Sequence, residues 1–203
     1  YYFSLSKDYM MKILKIGVPS AFEQVMYQGC QLVFLFYITY LGSEALAARQ
    51  YANNISMFTY LFAIALGMGT SIIVGRLIGA NRQEEAYKRV WSSVRCSLGL
   101  TIVMVSLVVI FRAQLIGLFT DNPAVIEMAT TVLVFALILE TGRSINIVLV
   151  NSLRASGDAK YPLFIGGFSM VMMSLPLGYF LVFILDLGLV GIWLAIAADE
   201  WLR

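Results

Sequence analysis

The chain has 203 residues, of which 60% are hydrophobic and 13% charged, and its formal net charge is +2. Soluble domains are closer to half apolar and one-quarter charged, so this composition excludes a soluble cytosolic enzyme. The sequence contains no histidine, which also excludes a His-based catalytic triad and a zinc site with histidine ligands.

Six apolar segments follow one another along the chain, at about residues 13–40, 45–78, 90–111, 124–155, 162–185 and 189–203. A helix needs roughly 20 residues to span a bilayer, and the last segment is shorter than that. Segments of about ten residues with alternating polarity, typical of membrane β-barrels, do not occur. The sequence therefore predicts an all-α, polytopic membrane protein. Its six transmembrane helices, the last one truncated, would form a single lobe over residues 1–203.

Basic residues are distributed unequally between the two sets of predicted helix ends. One set carries ten of the 14 Lys and Arg residues: Lys7, Lys12, Lys15, Arg76, Arg82, Lys88, Arg89, Arg95, Arg154 and Lys160. The opposite set carries only Arg49 and Arg112. Since cytoplasmic loops are enriched in Lys and Arg, we expect the N-terminus and the connectors at Asn81 and Asp158 to be cytoplasmic. The chain begins at Tyr1 rather than Met, which suggests that it belongs to a longer protein.

The first apolar segment contains a stripe of polar side chains at helical spacing: Ser20, Gln24, Tyr27, Gln28 and Gln31, with Glu23 beside them. Lipid offers these groups no hydrogen bonds, so the stripe must face protein or water. Glu23 lies ~15 Å along the helix from Ile13, close to the expected bilayer midplane. A carboxylate at that depth is a candidate functional group. The alternative is a glutamate that only hydrogen-bonds a neighbouring helix.

Pro19 lies one helical turn before Glu23 and removes a backbone hydrogen bond. The helix should kink or loosen there, which would suit a hinge that moves when an ion binds. A static bend is the alternative.

The second and fourth segments also carry polar groups. In the second, Asn53, Met57 and Tyr60 share a face with Arg49, which predicts either the wall of a cavity for amphipathic ligands or plain packing. In the fourth, Glu140 and Arg143 are three residues apart and can neutralise each other. This pair has either a structural or a binding role.

The segments resemble those of multidrug and toxin extrusion (MATE) transporters. The residues that carry the resemblance are Gly17-Val18-Pro19 with Glu23, Gly42 followed by Leu46-Ala47-Ala48, Gly69-Thr70-Ser71 leading to the run at 74–80, and the run at 153–162. Their order fits the C-terminal six-helix lobe of that family. The resemblance implies an antiporter that exports mostly cationic, amphipathic compounds in exchange for Na⁺ or H⁺.

In the sodium-using branch, an acidic residue on the first helix of this lobe lies in the ion site, and Glu23 matches it. A second acidic residue of that branch aligns with Arg143, while Glu140 lies one turn earlier, so the coupling ion stays open. The residues that we expect to form the ion-coupling and substrate cavity are Glu23, Gln24, Tyr27, Gln28, Asn53, Met57, Glu140, Arg143 and Asn146, with Pro19 as the hinge. Glu23 is the possible Na⁺ ligand.

We expect no resident cofactor and no nucleic-acid partner. The resemblance implies the cell (inner) membrane as the location, with amphipathic substrates, the lipid bilayer and an N-terminal lobe as partners. A flippase for lipid-linked oligosaccharides, from the same wider superfamily, is the alternative. Its polyanionic substrate would need a cavity rich in Arg and Lys, and only Arg49, Arg95 and Arg143 lie within the spans. An uncoupled membrane enzyme is a further alternative, and the absence of His and of any clustered nucleophile and base argues against it.

Overall fold

The computed structural model describes residues 7–203, and within that range all of the regular secondary structure is helical. The helices are α1 (Lys7–Leu41), α2 (Ser43–Gly79), α3 (Gln83–Ile110), α4 (Arg112–Gly117), α5 (Pro123–Ala155), α6 (Lys160–Ile184) and α7 (Gly188–Leu202). The all-α fold class is therefore confirmed. Two residues used in the sequence analysis lie outside the described part. They are Tyr1, the start of the chain, and the side chain of Lys12, one of the ten basic residues at one set of helix ends.

Two boundaries differ from the sequence prediction. Helix α3 begins at Gln83 rather than near residue 90, and the supposed connector residues Glu84 and Glu85 form its first turn. Acidic side chains there interact favourably with the helix dipole. The short helix α4 was not predicted. The Pro123 turn has the expected form, since the Asn122 side chain accepts a hydrogen bond from the Ala124 amide at 3.0 Å.

Four of the described helices are long and apolar enough to cross a membrane: α2, α3, α5 and α6. Helix α7 has only 15 residues, and α1 combines 35 residues with the polar stripe. Many large apolar side chains of all these helices are exposed, among them Phe36, Phe58 and Phe168. Such a surface suits lipid as its solvent.

The helices pack in two groups. Helices α2, α3 and α5 form one group, α1 and α6 form the other, and α7 packs against both α5 and α6. Phe34, Ile38, Leu133, Ile192 and Trp193 belong to the buried core between them. The two groups leave space between them, and this space holds the cavities described below.

Local backbone features allow the close contacts between helices. Gly42 alone connects α1 to α2, with φ at +105°, a conformation that glycine adopts without strain. Helix α6 contains two π-helical segments, Met170–Ser174 and Phe180–Ile184. Pro176 explains the first, because it has no N–H to donate to the carbonyl of Met172. The Leu175 amide instead bonds the Met170 carbonyl, five residues back.

Candidate functional site

Glu23 forms a partly buried ion pair that joins α1 to α5. Its side chain projects from the middle of α1, and its Oε2 accepts a hydrogen bond from Arg154 Nη2 at 2.8 Å. The residue is 9% exposed, and Arg154 lies in the last turn of α5. Arg154 reaches Glu23 from the end of α5 that leads into the connector at Asp158. The predicted midplane position of Glu23 stays a prediction.

A cavity of about 420 Å³ opens beside Glu23 at this end of the molecule. We call it the connector-side cavity. Its wall is mostly aliphatic and aromatic, including Tyr87, Trp91 and Tyr161, and its polar groups include Glu23 and Asn146. It has the size and lining of a small-molecule site.

A second group of charges lies deeper, between α5 and α7. Arg143 Nη1 donates to Glu140 Oε1 at 2.8 Å, and Arg143 Nε contacts Glu200 Oε1 at 3.5 Å. Asn146 Nδ2 donates to Glu200 Oε2 at 2.9 Å. The Arg143 guanidinium carbon also lies 5.1 Å from the centroid of the Tyr60 ring. We call Glu140, Arg143, Asn146 and Glu200 the charged cluster.

Asp199 lies next to this cluster on α7 and is buried as well. Its carboxylate accepts hydrogen bonds from the Ser169 hydroxyl of α6 and from the Arg203 guanidinium. Each of the four buried carboxylates in the described part of the chain thus contacts an arginine. This neutralisation lowers the cost of placing charge among apolar helices.

A second, smaller cavity of about 230 Å³ lies between α1, α2, α5 and α7. We call it the polar cavity. The side chains that line it are Tyr27, Gln31, Arg49, Asn53, Asn54, Ser56, Met57, Tyr60, Leu139, Arg143, Trp193 and Ile196. Arg49 Nη2 donates to Gln31 Oε1 at 2.9 Å across its wall.

The predicted site residues lie in two places rather than one. Tyr27, Asn53, Met57 and Arg143 line the polar cavity, whereas Glu23 and Asn146 line the connector-side cavity. The charged cluster, which contains Glu140 with 0% exposure, lies between them.

The remaining predicted residues are on α1. Gln24 and Gln28 are exposed on the surface of the described chain, and Pro19 lies inside an uninterrupted helix. Their roles, like those of the other predicted site residues, stay predictions.

Three partners were not predicted from the sequence. Arg154 was assigned to the cytoplasmic ends, and Asp199 and Glu200 received no role. No spacing signal pairs residues 131 positions apart, as Glu23 and Arg154 are. For Asp199 and Glu200, the available sequence signal was that two acidic residues lie next to each other in the apolar last segment.

Metal ligands are not grouped in the described residues. Nowhere in residues 7–203 do three or more His, Cys, Asp or Glu side chains come together as a potential metal site. A sodium ion at Glu23 would have to compete with the guanidinium of Arg154.

Comparison with known proteins identifies the family. The MatE family model matches residues 19–180. The chain belongs to the MatE family. The resemblance inferred from the sequence is thereby confirmed, and the proteins of this family are integral membrane transporters.

Similar proteins are consistent with this assignment. An uncharacterized transporter, YisQ, of Bacillus subtilis is 42% identical over 99% of this chain, which covers 44% of YisQ. A probable multidrug resistance protein, NorM, of Pasteurella multocida is 28% identical over 91% of the chain, which covers 41% of NorM. The MATE transporter ClbM, solved in complex with Rb⁺, has the same fold over 97% of the chain and 46% of ClbM, with a TM-score of 0.89 at 19% identity. The chain thus spans less than half the length of these proteins.

Proposed function

We propose that the chain is one lobe of an ion-coupled antiporter that exports amphipathic compounds by alternating access, with Glu23 as the coupling carboxylate. The coupling ion is Na⁺ or H⁺. The observation that carries the proposal is the partly buried ion pair between Glu23 and Arg154. It connects the two helix groups at the wall of a cavity large enough for a ligand.

The chemistry of the pair suggests how coupling works. A proton or a sodium ion at Glu23 neutralises the carboxylate and competes with Arg154 for it. The Arg154 side chain is 30% exposed, so neutralising Glu23 costs less than the ~3–5 kcal/mol of breaking a fully buried pair, although the guanidinium still loses its partner. Ion binding would therefore favour a conformation in which α1 and α5 separate and Arg154 is hydrated. Release of the ion would restore the pair and reverse the conformational change.

The exposed polar face of α1 and α2 supports a second lobe. Gln24, Gln28, Asn53 and Asn54 are exposed on the described chain, although they lie within apolar helices. Amides that face lipid are costly even where one bond is made, as Gln50 makes to Asn54 Oδ1 at 3.4 Å. We therefore infer that an N-terminal lobe, or water between the lobes, covers this face. A transporter with two lobes has its substrate site between them and moves one against the other.

The location follows from the same reasoning. We infer that the lobe resides in the bacterial inner membrane with the start of α1 on the cytoplasmic side. The excess of Lys and Arg at that set of helix ends supports this orientation.

Replacement of Glu23 by Gln in the complete transporter tests the proposal. The amide keeps the shape of the side chain but cannot bind a proton or a cation as a carboxylate does. We expect gradient-driven uptake of a xanthene dye into proteoliposomes to fall to the level of empty liposomes. The matched control is Glu127→Gln, an exposed glutamate on α5, which should keep wild-type uptake. Wild-type uptake by Glu23→Gln, with unchanged dependence on pH and Na⁺, would remove Glu23 from the mechanism.

A further inference from the structure

The polar cavity has an unusual charge balance. Two guanidinium groups, Arg49 and Arg143, are among its lining residues, together with the amides of Gln31, Asn53 and Asn54. Among the described side chains that line it, there is no Asp or Glu. A wall of this composition presents many hydrogen-bond donors and no carboxylate acceptor.

The charge of Arg143 is compensated from outside the cavity. Glu140 and Glu200 of the charged cluster contact its guanidinium, and the ring of Tyr60 lies against it. These contacts hold Arg143 in place, and they give it a structural role. Arg143 alone would therefore not indicate a ligand.

The charge of Arg49 has no such compensation within the described residues. This half-buried side chain makes no ion pair with any described Asp or Glu, and its guanidinium donates to the side-chain oxygen of Gln31. Glu44, the acidic residue on the same helix, accepts a hydrogen bond from Asn122. A half-buried guanidinium among amides and without a carboxylate is suited to bind an anion supplied by a ligand.

We infer that the polar cavity binds the acidic group of the transported compound, so that the substrates include amphipathic organic anions or zwitterions. The inference rests on the proposed transport function and assigns its substrate class. A carboxylate, sulfonate or phosphate would accept hydrogen bonds from Arg49 and from the amides of Asn53 and Asn54. The planar guanidinium fork matches two oxygens of such a group.

The dimensions of the cavity indicate how such a compound lies. Sites that enclose a drug-sized molecule have volumes of about 300–1,000 Å³, whereas this cavity has about 230 Å³. It therefore holds the acidic end of the molecule and part of its apolar body. Met57, Leu139 and Ile196 provide the apolar part of the lining. The remainder of the compound extends over the exposed face of α1 and α2.

This assignment departs from the cationic substrates that the family resemblance implies. An organic cation in the polar cavity would meet the uncompensated positive charge of Arg49 and no carboxylate in the described wall. Like charges brought together in a partly desolvated site repel each other, which discriminates against the wrong partner. The polar cavity thus selects against a positive charge at this position.

Equilibrium binding of two xanthene dyes to the complete transporter in detergent tests the inference. Fluorescein carries a free carboxylate and is an anion, whereas rhodamine 123 has a similar ring system and is a cation. We expect fluorescence anisotropy to give tighter binding of fluorescein. Replacement of one partner of a charged hydrogen bond changes the binding constant about 10-fold or more, so Arg49→Gln should weaken fluorescein binding by that factor.

Two further variants complete the design. Arg49→Lys keeps the charge and should retain part of the affinity for fluorescein. Arg112→Gln changes a half-buried arginine on α4 outside the cavity and should bind like the wild type. Equal binding of the two dyes, preference for rhodamine 123, binding of neither, or an Arg49→Gln variant with wild-type affinity for fluorescein would each overturn the inference. Because these measurements need no gradient, they are independent of whether Glu23 couples transport to an ion.

Discussion

At the scale of single residues, the arrangement of charge within the helix bundle is the central feature. Arg143 contacts two buried carboxylates of different helices, Glu140 and Glu200. Glu140 has a second oxygen, Oε2, which is buried and without a hydrogen-bond partner. Among the described residues, Arg143 is the cation that compensates both carboxylates. The stability of the charged cluster therefore depends on Arg143.

Replacement of Arg143 by Met tests that dependence. Removal of one partner from a buried ion pair destabilises a protein by about 3–5 kcal/mol, and we expect a loss of this order in SDS-induced unfolding of the purified transporter. The control Lys88→Met breaks the exposed pair with Glu84 and should change stability by at most about 1 kcal/mol. Addition of Glu140→Gln to Arg143→Met should restore part of the loss. Equal stability of Arg143→Met and Lys88→Met would contradict this role.

The site was only partly predictable from the sequence at this scale. The pairing of Glu140 with Arg143 follows from helical spacing, and the structure has it at 2.8 Å. The partners Arg154 and Glu200 come from other helices, and their positions depend on how the helices pack. Periodicity within one helix contains no information about that packing. For the same reason the sequence placed Glu23 and Arg143 near one site, whereas they line two cavities.

At the scale of helices, the contact between α1 and α6 depends on small residues. A Cβ atom added at Gly178 would lie 2.7 Å from Cε1 of Phe34, which is itself 2% exposed. A Cβ atom at Gly167 would lie 2.8 Å from Cε of Met26. Glycines at both positions allow α6 to approach α1 closely, as small residues do in membrane helix pairs.

Gly178→Ala should therefore destabilise the protein. The buried ring of Phe34 has little room to move, and overpacking of this kind costs about 1–3 kcal/mol. The control Gly99→Ala places a methyl group where no atom lies within 4 Å, and it should be neutral or slightly stabilising. The melting temperatures of the two variants in the same detergent check the expectation. A Gly178→Ala variant as stable as Gly99→Ala would show that this contact is looser than described.

The helices themselves were largely predictable, and their irregularities were not. Runs of apolar residues locate α2 and α5 to within a few residues, because length and hydropathy dominate the choice of structure in lipid. Helix α3 starts earlier than the apolar run because its first turns are polar but still helical. The π-helical segments of α6 depend on how local backbone hydrogen bonds rearrange, which hydropathy does not report.

At the scale of the whole molecule, the orientation in the membrane is a testable proposal. Cys30 is buried and Cys96 exposed, so a background with Cys96→Ser and Cys30→Ala avoids unwanted labelling. Single cysteines at the exposed positions Gln83 and Lys160 should resist an impermeant maleimide applied to intact cells, whereas one at Asp121 should react. The physical reason is the excess of basic residues at the end of the lobe where Gln83 and Lys160 lie. The reverse labelling pattern would invert the proposed orientation.

The whole account depends on antiport through Glu23. Driving ion movement with a dye gradient, the reverse of export, tests this most directly. A dye gradient is imposed across proteoliposomes that contain the complete protein, and ion movement in the opposite direction is recorded with an internal pH or Na⁺ indicator. Both fluorescein and rhodamine 123 are used, so that the result does not depend on the substrate charge. We predict that at least one dye drives counter-movement of H⁺ or Na⁺ in the wild type and that Glu23→Gln abolishes it. Dye movement without ion movement in the wild type, or undiminished exchange in Glu23→Gln, would contradict the account.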